Sequence, residues 1–191
     1  MKILVTAFVP FDGRLENASS LALRGLKGLH PEIRTRILPV DSVIAPARLR
    51  QALRLIRPDA LIMLGEAAGS KEIRLETTAW NELDFRIADN GGRMPRGKAI
   101  IKGAPSQLSS TLPLETFREP LEKNGHPVRF SDDPGRYLCN QVFYTARHDL
   151  DANRMTCPAG FIHLPLARDY PTERSVAALD LMVSEMTGRS L

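Results

Sequence analysis

Residues 59–65, DALIMLG, set five apolar side chains in a row between an acidic start and a closing glycine. A run this short and unbroken suits a strand buried on both faces, as in a parallel sheet covered by helices. The stretch before it reads differently. Over residues 43–56, Ile44, Leu49, Leu53 and Ile56 recur among arginines, the pattern of an amphipathic helix with a solvated basic face. The same alternation continues outward in both directions. Towards the N-terminus, residues 33–40 form a strand candidate, Leu21, Leu23, Leu26 and Leu29 mark a helix with Ser19 or Ser20 as its cap, and residues 2–8 suit a buried first strand. Towards the C-terminus, residues 72–80 read as one strand and residues 81–102 as a long irregular stretch expected to act as a functional flap. A helix over 114–123, a strand over 127–131, a helix around residues 138–150, a strand in GFIHLP (160–165) and a helix over 171–186 complete the chain. Such alternation predicts an α/β fold, a three-layer α/β/α sandwich around a mixed, largely parallel sheet.

A length of 191 residues with 43% hydrophobic composition suffices for one substantial core, so residues 1–191 are expected to form a single domain. Net charge is +4, but the 26 basic residues are scattered among 22 acidic ones and aromatics make up only 6%. That pattern argues against nucleic acid as a partner. MKILVTAF is too short for a signal peptide and no run suits a membrane span, so a cytoplasmic protein is expected, with no membrane partner. Cys139 and Cys157 lack CxxC spacing or a zinc-like histidine pattern, which argues against a metal site. No GxGxxG or GxxxxGK[ST] loop occurs either, and no cofactor is expected.

The chemistry points to residues 136–144, RYLCNQVFY, where a turn written Asp132, Asp133, Pro134, Gly135 gives way to helical spacing. Cys139 then falls in or near the first helical turn, where unpaired amides and the helix dipole favour the nucleophilic thiolate. A buried cysteine acting as a small apolar residue is the alternative. A cysteine nucleophile needs a base, and the chain has four histidines. His30 and His126 precede prolines and read as turn residues, while His148 sits late in the Cys139 helix. His163 closes a buried strand, at the carboxyl end where functional residues of open α/β sheets gather.

YLCNQVFY followed by GFIHLP resembles the paired signature of pyroglutamyl peptidase I, the pyrrolidone-carboxylate peptidases, a family of cysteine peptidases. TAFVPFDGRLENAS near the N-terminus, GEAAGS, Glu76 with Asn81 five residues on, DFRIADNGG and STLP extend the likeness in order over most of the chain. The resemblance implies an exopeptidase that removes an N-terminal pyroglutamyl residue from peptides through an acyl-enzyme, without metal or cofactor, and works as a homotetramer. By position it implies Cys139 as nucleophile, His163 as general base and acid, and Glu76 as the carboxylate that orients the imidazole. It also matches Phe8 and Phe11 to the aromatics that sandwich the lactam and Asn17 to a polar pocket residue, with ordinary core packing as the alternative for the phenylalanines. Arg86 either balances charge near the thiolate, braces its loop or forms a surface salt bridge. Departures from the family pattern include Ala7 and Ala68 for glycines and Glu66 for an uncharged residue beside the lactam. An anion there would cost desolvation, which leaves a second reading: a silent or substrate-shifted relative that binds a blocked N-terminus or small amide without cleaving it.

Overall fold

The computed structural model describes residues 1–189. In chain order its elements are β1 (Ile3–Phe8), α1 (Ala18–Leu29), β2 (Arg34–Leu38), α2 (Ile44–Ile56), β3 (Ala60–Ala67), β4 (Ile73–Glu76), β5 (Thr78–Trp80), β6 (Gln107–Ser109), α3 (Leu114–Lys123), β7 (Val128–Ser131), α4 (Leu138–Ala152), β8 (Ala159–Pro165) and α5 (Thr172–Thr187). Six strands form one sheet in the order β2-β1-β3-β8-β4-β7, with every neighbouring pair parallel except β4 against β8. This is the mixed, largely parallel α/β sandwich that the alternation predicts. Helices α1, α3 and α5 pack together on one face, and α2 packs with α4 on the other.

Period-two side-chain direction divides the core between the faces. Ile3, Val5, Ile62, Ile73, Leu75 and Ile162 turn towards α1, α3 and α5, whereas Leu4, Phe8, Leu61, Met63 and Phe161 turn towards α2 and α4. The second face carries His163 and Glu76, two of the residues expected to do chemistry. On it, Gly65, His163 and Arg74 lie side by side across β3, β8 and β4, and Glu76 stands opposite Phe161.

Three local expectations change. The strand expected over residues 72–80 is two strands: β4 belongs to the main sheet, and after Thr77 the chain leaves it so that β5 pairs antiparallel with β6. A short pairing partner 29 residues away in the sequence (Thr78 with Ser109 is 31, Trp80 with Gln107 is 27) leaves no local pattern to read. The cap of α1 is Asn17 rather than Ser19 or Ser20, because its Oδ1 accepts from the Ser19 amide at 3.0 Å and from the Ser19 hydroxyl at 2.6 Å. Ser19 is thereby freed to accept from the Phe8 amide, which ties α1 to the end of β1. Residues 81–102 are irregular as expected, yet they are pinned. Asn140 bonds Trp80 and Glu82, and Asp89 accepts from Ser42, Gly91 and Arg93.

Candidate active site

Cys139 is the second residue of α4, and the preceding turn decides its aim. Gly135 takes a left-handed conformation at φ 79°, and Asp133 accepts from its amide and from Arg136. The chain then enters the helix through an extended Tyr137, and no side chain caps it. The first-turn amides, those of Leu138 and Cys139 among them, therefore have neither an intrahelical acceptor nor a side-chain cap. Below the sulfur lies Gly65. A Cβ at that position would sit 2.9 Å from Cys139 Sγ and 2.8 Å from the Phe161 ring. Gly65→Ala is accordingly expected to displace the sulfur and lower kcat about 100-fold, the scale of a misplaced reacting group. Steady-state kinetics check it: an alanine enzyme with unchanged kcat would mean that the sulfur needs no such seat.

His163 lies on β8 and is 5% exposed. Its Nδ1 is 2.7 Å from Oε1 of Glu76, a carboxylate with no exposed surface, and its ring leans on Phe161 with centroids 4.8 Å apart. Burial opposes a charge on the imidazole. The neighbouring Cys139 sulfur, by charge and by hydrogen bonding, and then Glu76 outweigh that and raise His163 to about 9. The sulfur and the carboxylate together favour the imidazolium form, whose other nitrogen is a donor. Glu76 Oε2 has no partner among the described residues. A buried carboxylate oxygen left without a donor is costly for stability, and sites that need a charge tolerate it.

These groups open into a cavity of about 620 Å³ that both Cys139 and His163 line. All five further residues singled out from the sequence line it too: Phe8, Phe11, Asn17, Glu66 and Arg86. Phe8 is mostly core at 4% exposure, while Phe11 is half-buried with its ring 5.6 Å from that of Tyr137. Glu66 is not a bare anion. Its Oε1 pairs with Arg14, and its Oε2 accepts from the Ala18 amide at 2.9 Å, in the first turn of α1 where a negative charge is favoured. Arg86 is exposed and makes no ion pair among the described residues. Sequence reading passed over Gly65, Arg14, Tyr137 and Arg74, whose importance depends on which strands and loops adjoin. Among the described residues no group of three His, Cys, Asp or Glu side chains is placed to hold a metal ion.

The family model described as Pyroglutamyl peptidase matches residues 1–187. Pyrrolidone-carboxylate peptidase 1 of Ralstonia nicotianae is 37% identical over 182 residues, 92% of this chain and 85% of that protein. A mutant pyrrolidone carboxyl peptidase from Pyrococcus furiosus superposes with a TM-score of 0.92 at 30% identity, covering 100% of both chains. Pyroglutamyl peptidase I from Bacillus amyloliquefaciens gives a TM-score of 0.88 at 29% identity, over 95% of this chain and 94% of that one.

Proposed function

The chain belongs to the pyroglutamyl peptidase family, and on that premise we propose that Cys139, His163 and Glu76 carry out thiol-dependent removal of an N-terminal pyroglutamyl residue from peptides. The observation that carries this reading is the 2.7 Å contact of a buried carboxylate with a buried imidazole, on the same cavity wall as a helix N-terminal cysteine. Glu76 fixes the ring through Nδ1, so the opposite nitrogen exchanges a proton with the sulfur. The Cys139 thiolate attacks the lactam-bearing carbonyl, and the amides of Leu138 and Cys139 are the natural donors to the oxyanion. Collapse of that intermediate expels the amine, which takes its proton from the His163 imidazolium. Water, deprotonated by the now neutral ring, then attacks the thioester and releases pyroglutamate.

For the acyl group, Phe8 and Phe11 supply apolar wall and Asn17 an amide able to pair with a lactam. The silent-binder reading rested on Glu66, and its pairing with Arg14 and Ala18 removes the desolvation argument behind it. We further propose one domain, a cytoplasmic setting and a homotetramer. Two free thiols suit a reducing compartment, and exposed Val43, Ile44 and Leu55 on or beside α2 offer apolar surface for self-association. Among the described residues no helix is long and apolar enough to cross a membrane.

The test is release of the amine from a chromogenic pyroglutamyl amide, followed against pH. Because His163 is raised from its usual 6.5 to about 9, its acid form is present below that value and lost above it. Turnover should therefore fall as pH rises through about 9. No release at any pH sinks the proposal, and a limb near 6.5 would mean that the imidazolium is not held as described.

A further inference from the structure

Four arginines line the cavity: Arg14, Arg74, Arg86 and Arg136. Arg14 is paired with Glu66, and Arg136 with Glu82 and Asp133. Arg74 is different. It is half-buried, its Nε is closed off from solvent, and that atom has no acceptor among the described residues. Arg74 also makes no ion pair among the described residues, so its charge is uncompensated and an anion in the cavity would relieve that cost through the guanidinium N–H groups that reach the cavity rather than through the enclosed Nε.

The position of Arg74 tells where that anion belongs. Read across the carboxyl edge of the sheet, Phe8 ends β1, the Cys139 sulfur lies over Gly65 on β3, His163 stands on β8 and Arg74 on β4. Neighbouring strands are about 4.8 Å apart, so these groups form a row. The side chains suited to the acyl group, Phe8, Phe11 and Asn17, lie at the β1 end of it. His163 must reach the departing nitrogen, so the leaving residue extends from the sulfur towards β8. Beyond β8 comes Arg74. One residue of extended chain spans about 3.5 Å, which brings the first residue after the scissile bond within reach of a long arginine side chain.

We propose that Arg74 binds a carboxylate on the first residue beyond the scissile bond, so that pyroglutamyl peptides with a negatively charged leaving residue are preferred. The inference rests on the pyroglutamyl-peptidase reading above and deepens it. The carboxylate has two sources, the free C-terminus of a pyroglutamyl dipeptide or an acidic side chain in a longer peptide.

Two matched pairs separate them: pyroglutamyl-alanine against its amide, and pyroglutamyl-glutamate amide against pyroglutamyl-glutamine amide. A charge-assisted hydrogen bond of ordinary strength corresponds to about tenfold or more in kcat/KM. The wild-type enzyme should favour the charged member of at least one pair by that factor, through KM, and less so as salt is raised. In Arg74→Gln the ratio should fall to about one, and Arg74→Lys should restore part of it. Whichever pair responds identifies the source. Equal cleavage within both pairs by the wild-type enzyme overturns the proposal, whatever the folding of the variants. So does a preference that survives in Arg74→Gln or is lost only in Arg86→Gln. Cleavage of the neutral members without preference leaves the pyroglutamyl-peptidase reading standing and fells this one alone, whereas failure to cleave any of the four overturns both.

Discussion

Cys139→Ala is expected to reduce pyroglutamyl amide hydrolysis by roughly 10,000-fold or more, with KM little changed, since loss of a nucleophile leaves only binding and oxyanion stabilisation. The size of the effect follows from the architecture. Among the described residues no serine, threonine or second cysteine lines the cavity with His163: the other cysteine, Cys157, is buried and its thiol is pushed up to about 11, first by burial and then by Asp59. The variant has a second consequence that does not depend on substrate. The Cys139 sulfur is the largest influence raising His163 against its burial, so removing it should lower the His163 pKa. Histidine titration by NMR reads this directly. Turnover surviving in Cys139→Ala would end the acyl-enzyme mechanism, and an unmoved His163 titration would show that sulfur and imidazole are not neighbours in solution.

Glu76→Gln carries the next largest expected loss, roughly 100- to 10,000-fold in kcat, by analogy with the cost of disturbing the acid behind a catalytic imidazole. The substitution nearly conserves shape. It removes the charge that helps hold the ring protonated and admits the wrong tautomer, because an amide nitrogen can now donate to Nδ1. Stability should fall far less than activity. Glu76 is fully buried and its Oε1 holds His163 Nδ1 at 2.7 Å, so removing its charge costs the pair its attraction. The imidazolium can shed its proton, however, and Oε2, unpartnered among the described residues, no longer carries an uncompensated charge. A large loss of activity with Tm lowered only slightly is therefore the expected result. Activity within a few-fold of wild type would remove Glu76 from the mechanism, and a parallel collapse of Tm and activity would make its role structural.

The difference between what was legible and what was not follows the range of the interactions. β3 and β8 were readable because a strand covered by helices on both faces must be apolar throughout, a property of neighbouring residues alone. The helices were readable from their apolar spacing, and Cys139 from the turn formers immediately before it. The cap of α1 falls two or three residues before the expected serines because Asn17, Ser19 and Ser20 are all good capping types, and only the hydrogen bonds of Asn17 and the recruitment of Ser19 by the Phe8 amide distinguish them. β5 and β6 were missed as a pair because three-residue strands joined across a long irregular stretch leave no periodicity. Glu66 shows the same limit in the site. Its charge was visible, whereas Arg14, 52 residues away, and the Ala18 amide became its partners only in the folded chain.

By itself the order of residues determined the layered α/β architecture and the family, and it singled out the sulfur, imidazole and carboxylate proposed for the chemistry, since these depend on residue type and local spacing. Folding alone decided that Gly65 seats the sulfur, that Glu66 is paired with Arg14 and the Ala18 amide, and that Arg74 falls in line beyond His163. Those facts are set by strand order and register, which bring together segments that have no information about one another until the sheet has formed.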